Sequence, residues 1–179
     1  MKRRVTFSGE HKEIEDIIGL YYLNKDAILA YKKQIHKGTL IPKEELVGYT
    51  SDELDYYFTG KIGEFETLIS LDMLSSVEAK LKLDYLTRVY NRSKDSLSRN
   101  FQAIYREKFD RVYLKEDILE NWQQAYPDSK KYINEYKSAL RFRNWLAHGS
   151  YWNPKLKKSK YDILTVYSIC NGLLKNLKI

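Results

Sequence analysis

The sequence predicts an all-α protein, and three observations carry that prediction. The 179 residues include only three prolines and eight glycines, too few to punctuate a chain of many short strands. No stretch alternates apolar and polar residues with the period of two that a half-buried strand needs. Apolar residues instead recur at helical spacing: Ile14, Tyr21, Ile28 and Ile35 repeat every seven residues, with Ile17 and Ile18 between them. At 43% hydrophobic content a chain of this length buries one substantial core, so a single domain over residues 1–179 is expected.

The first helix is expected from about Gly9 to Lys37, with Ser8 as its N-cap, Gly38 past its end and a break near Asn24. After Pro42, Thr50-Ser51-Asp52-Glu53 is the cap signal of a second helical region, bent or interrupted around Gly60 and Gly63. From Ile62 to Tyr90 apolar residues cover most of the helix circumference, which places this stretch inside a bundle or between subunits. Ser93-Lys94-Asp95 caps a helix carrying Leu97, Phe101 and Ile104; a shorter one at about 114–125 carries Ile118, Leu119 and Trp122, and Pro127 stops it. The next helix starts near Asp128 or Ser129 and runs to Gly149. The last, about 160–176, gathers Ile163, Val166, Cys170, Leu173 and Leu174 on one broad face.

Composition narrows the chemistry. No run of eighteen apolar residues exists, and the start lacks the apolar stretch and cleavage site of a signal peptide. A cytoplasmic location without a membrane partner is therefore expected. Cys170 is alone, so it makes no internal disulfide, and His11 and His36 lie far in sequence from His148 with no second ligand at metal-binding spacing. Neither a metal nor another cofactor is expected. The chain also lacks a phosphate-cradling glycine loop and a GxSxG turn, which leaves nucleotide hydrolysis and serine chemistry without support.

The net charge of +7 is uneven. From residue 151 onward six lysines (Lys155, Lys157, Lys158, Lys160, Lys175 and Lys178) stand against one acid, Asp162. Such a patch suits a polyanion, whose counterions are released on binding. A solvated loop accounts for the lysines equally well.

Just before that patch lies the stretch Ala139 to Gly149, apolar except for Arg141, Arg143, Asn144 and His148. Polar groups in an apolar segment need partners or a purpose. On a helix Asn144 and His148 share a face, while Arg143 stands about a hundred degrees from Asn144 with a side chain long enough to curl back. The three together can reach one phosphate-sized anion. A structural reading fits the same residues: a histidine before a glycine meets the negative end of the helix dipole, and Arg143 pairs with one of the chain's acids.

Arg143-Asn144-x-x-x-His148, near the end of an amphipathic helix and followed by Gly149-Ser150-Tyr151-Trp152, a basic loop and one further helix, resembles the Arg-polar-x-x-x-His signature of the HEPN superfamily. The resemblance covers about residues 114–179. It implies an antiparallel, HEPN-like helical bundle with additional N-terminal helices. It also implies a metal-independent endoribonuclease of the toxin–antitoxin, abortive-infection or phage-defence kind, cleaving RNA by 2′-hydroxyl attack to leave a 2′,3′-cyclic phosphate. Under it His148 is the general acid/base, Arg143 the clamp on the phosphate and its transition-state charge, and Asn144 a support for the ring or the substrate. Tyr151 and Trp152 become candidates for base stacking, although packing at the turn suits them as well. Lys155, Lys157 and Lys158 complete the RNA-binding set. A homodimer joining two motifs around one cleft, and an antitoxin or regulatory partner, follow from the same resemblance. Some toxin members carry a tyrosine two residues after the histidine; here that position is Ser150. The alternative functions are a non-catalytic RNA- or protein-binding module of the same family and a helical scaffold in which Arg143 and His148 are structural.

Overall fold

The computed structural model describes residues 4–149 and 161–179, and every regular element among them is helical. The first helix, α1 (Ile14–His36), starts some five residues later than the sequence suggested. Ser8 does not cap it; its hydroxyl instead accepts the nearby Glu10 N–H at 3.3 Å. Asn24 causes no break, because its side-chain amide donates to the Leu20 carbonyl within the same helix at 2.8 Å. Gly38, at φ +65°, ends the helix by taking the left-handed conformation that other residues resist.

Thr50 and Glu53 form a reciprocal capping box: Thr50 N–H donates to the Glu53 carboxylate at 2.8 Å, and Glu53 N–H donates to the Thr50 hydroxyl at 3.3 Å. From it α2 (Ser51–Tyr90) runs 40 residues without interruption. Gly60 and Gly63 do not bend it into two pieces, since glycine weakens a helix by only about 1 kcal/mol and carries no steric reason to stop one. Asp95 caps α3 (Ser96–Lys108), accepting the Ser98 N–H at 3.0 Å. One turn of π-helix at Leu114–Leu119 then leads into α4 (Glu120–Ala125). The buried Asp117 carboxylate steadies this turn, accepting from Tyr113 N–H at 2.8 Å and from Lys108 Nζ at 2.7 Å. A short 3-10 turn at Pro127–Ser129 opens α5 (Lys130–Ala147), and Asp162 caps α6 (Ile163–Leu177) through the Thr165 N–H at 2.8 Å.

The second half of α2 is the spine. Its Ile69, Met73, Val77, Leu81 and Tyr85 are buried against α1, α3, α5 and α6 in one continuous core. Helices α5 and α6 run antiparallel: Phe142 stacks on Tyr161 at one end, centroids 5.1 Å apart. At the other end a Cβ on Gly172 would lie 3.2 Å from the Tyr132 ring, so glycine there permits the close approach. The first half of α2 has only α1 beside it over most of its length. Leu46, Leu54 and Phe58, with half-buried Ile28, Tyr31 and Ile35, form a second, smaller cluster that ties the two into an arm. The register of the arm is marked by the Tyr21 to Glu66 hydrogen bond and by Lys32 Nζ on the Asp55 carboxylate at 2.8 Å. Among the described residues no helix is long and apolar enough to cross a membrane.

Candidate functional site

The last three turns of α5 distribute the motif over two faces. Residues advance by about 100° along a helix, so Tyr136, Ala139 and Leu140, which are buried, define the side turned to the core. Arg143 lies on that side. Its side chain is only 25% exposed, and its Nη2 donates to the Glu78 carboxylate of α2. Glu78 is shared, its other oxygen holding Lys82 Nζ at 2.8 Å. The Arg143 Nε is buried and finds no hydrogen-bond acceptor. One layer below, the Tyr136 hydroxyl donates to the Leu74 carbonyl at 2.9 Å, and complete burial raises its pKa well above the ordinary value, so it stays a neutral donor. The arginine is therefore docked against the spine, pairing with an acid as the structural reading anticipated.

Asn144 and His148 are turned away from Arg143 by about 100° and 140°, and both are exposed. His148 is the C-cap of α5: its backbone N–H donates to the Asn144 carbonyl at 3.1 Å, and Gly149, at φ +78°, completes the stop. The same angular arithmetic puts Arg143 about 140° from His148, a wider separation than the arginine's distance from Asn144 suggests. Arg141 is different. It falls about 20° from His148 and 60° from Asn144, and it is exposed. Arg141, Asn144 and His148 thus form one solvent-facing strip at i, i+3 and i+7. Helical carbonyls at this end carry partial negative charge, which disfavours a phosphate; cationic side chains must supply the attraction.

Tyr151, Trp152, Lys155, Lys157 and Lys158 lie outside the described residues. On the flank of α5 toward α6 a shallow, mainly apolar groove is lined by Tyr161, Leu164 and Ile169, with Asn134, Glu135, Ser138, Thr165 and Ser168 among them. Its α5 lining begins at Ser138, roughly 15 Å along the helix from His148 by the rise of 1.5 Å per residue. Cys170 is buried in the core, and burial pushes its thiol pKa up, consistent with a packing residue. Among the described residues no three His, Cys, Asp or Glu side chains converge as metal ligands would.

Two residues escaped the sequence reading. Arg141 was within reach of it, because extending the helical period three residues back from Asn144 finds a second arginine on the histidine's own face. Glu78 carried no signal, being 65 residues away in the chain on a helix rich in acids and lysines. Comparison with known proteins adds no relative: no family model matches the sequence, and neither a curated protein nor a solved structure matches it.

Proposed function

We propose that this chain is a HEPN-like, metal-independent endoribonuclease that cleaves RNA by 2′-hydroxyl attack, a toxin or phage-defence effector acting as a homodimer with a composite site. The observation that supports it is the exposed strip at the end of α5, in which a histidine, an amide and an arginine face solvent together above a docked second arginine. Neutral imidazole accepts the proton of the attacking 2′-hydroxyl, and imidazolium returns one to the departing 5′-oxygen. One histidine serves only one role at a time, which is why two copies of the motif belong to the reading. Arg141 supplies the exposed cation for the phosphate oxygens, and Arg143, its charge compensated by Glu78, fixes the end of α5 on the spine beneath the strip. The Arg143 to Glu78 pair also favours a second reading, a non-catalytic module that binds RNA or protein, because it gives the motif's arginine a structural task.

Wild type and single alanine variants of Arg141, Arg143 and His148, incubated with a labelled structured RNA in EDTA, separate the readings. Under the nuclease reading wild type leaves cyclic-phosphate ends, and His148→Ala loses roughly two to four orders of magnitude in rate with unchanged melting. Arg141→Ala slows cleavage without destabilising the fold. Arg143→Ala both slows cleavage and costs roughly 1.5–3 kcal/mol of stability, since Glu78 loses a charged partner. RNA left intact by every protein but retained on a filter establishes the binding module; RNA neither cut nor retained leaves the scaffold.

A further inference from the structure

The arm exposes an apolar strip along α1. Leu20, Leu23, Ala27 and Ala30, continued by Asp16 at one end and by Gln34 and Lys37 at the other, follow one another in alternating steps of four and three. This is the spacing with which one helix packs against another. All seven are exposed, and Leu20 and Leu23 are 45% and 69% exposed. The strip is not the one that packs on α2, which uses Ile14, Ile17, Tyr21, Ile28, Tyr31 and Ile35, centred about 120° further round. Leu68 of α2, 63% exposed, lies on the same side of the arm, away from the edge marked by the Tyr21 to Glu66 and Lys32 to Asp55 bridges.

We propose that this strip is a homodimer seam, in which α1 pairs antiparallel with α1 of a second copy about a two-fold axis near Ala27. Charge selects the occupant and its direction. The first turn of α1 is acidic (Glu15, Asp16), and its end is basic (Lys33, His36, with Lys37 as C-cap). Turned end over end, Asp16 of each protomer meets Lys37 of the other, Leu20 meets Gln34, Leu23 meets Ala30, and Ala27 meets itself. A parallel pairing would instead set acid on acid and lysine on lysine. A self-complementary patch of this kind is what an isologous two-fold contact requires. The alanines at the centre let the two axes approach at the short end of the usual 8–10 Å range.

This dimer does not join two motifs. The seam runs beside residues 51–68 of α2, whereas Glu78 and the Arg143 docked on it belong to the spine beyond. The seam is thus independent of the proposed cleavage, and a composite nuclease site would need a different contact.

Sedimentation equilibrium of the full chain tests the proposal. Wild type associates, Leu23→Glu weakens the association at least about a hundredfold by placing two carboxylates in the seam, and its circular dichroism and melting stay those of wild type. Asp16→Lys alone weakens association, and adding Lys37→Asp restores it, a rescue that no effect on the isolated protomer would give. Under mild oxidation Ala27→Cys joins two copies covalently while Asp26→Cys, on the exposed flank about 100° away, does not; buried Cys170 takes no part. A monomeric wild type, an oligomer indifferent to Leu23→Glu, or a double charge swap without rescue overturns the seam.

Discussion

Asp95 shows how much one side chain does at the junction between α2 and α3. One carboxylate oxygen takes the Ser98 N–H at 3.0 Å, the other takes the Ser98 hydroxyl at 2.6 Å, and Arg88 approaches at 3.4 Å. The Ser98 hydroxyl, then its backbone N–H and Arg88, hold the carboxyl below the ordinary carboxylate range against a smaller opposing effect of burial. The folded state therefore prefers the ionised form. Its stabilisation is complete above about pH 5 and disappears as the pH falls through the depressed value. Asp95→Ala should lower Tm by about 2–4 °C at pH 7, corresponding to ~1 kcal/mol for a lost cap, and by clearly less at pH 3; thermal melts at the two pH values check this. Asp95→Asn, which caps without charge, should show a smaller loss and a flat pH response. Side chains such as this were readable in the sequence because caps are local. The motif was only half readable: the stretch 139–149 stood out as a candidate, and helical spacing placed Asn144 with His148. The docking of Arg143 on Glu78 depends on how α5 crosses α2, and no local pattern encodes a crossing.

At the scale of elements, the helices and their order were legible, whereas the start of α1 and the continuity of α1 through Asn24 and of α2 through Gly60 and Gly63 were not. Apolar periodicity located the helical segments, and the cap signals at Thr50 and Asp95 fell where α2 and α3 begin. The start of α1 was misplaced because Ser8 resembles a cap, yet its neighbours Glu10 to Lys12 have no apolar face to bury and the chain takes no regular structure there. Gly60 and Gly63 suggested an interruption in α2, but propensity costs about 1 kcal/mol apiece and cooperative hydrogen bonding from both sides carries the helix through. Those glycines are exposed, and a Cβ at either would meet nothing. Gly60→Ala and Gly63→Ala should each stabilise the protein by about 0.5–1 kcal/mol, raising Tm by some 1–4 °C; a fall in Tm for either would mean that α2 is kinked at that point in solution. Gly172 is the contrast, since a Cβ there would stand 3.2 Å from the Tyr132 ring, and alanine gains the same propensity only where that ring shifts by a few tenths of an ångström.

The whole molecule has two unequal parts on one shared rod. Among the described residues twenty-seven buried side chains hold the bundle, against three in the cluster that holds the outer arm. Opening free energy follows buried apolar contact, so amides in the outer arm, about 25–36 and 51–62, should exchange with solvent well before those of α5, α6 and residues 69–89 of α2. Native-state hydrogen exchange on Leu23→Glu, in which association through α1 is removed, measures this directly; uniform protection along α2 would sink the idea. Continuity of the rod also decides what can be done to the chain by engineering. The arm cannot be excised, because Ile14, Ile17 and Tyr21 of α1 belong to the main core and α2 passes from one part to the other without a joint. Its tip can be altered freely. Residues between Gly38 and Lys43 are largely exposed and join two helix ends. A dye or fused domain placed there would ride at the far end of α2, roughly 40 Å from Glu78 by the helical rise, turning the arm into a fixed spacer for distance measurements to the motif.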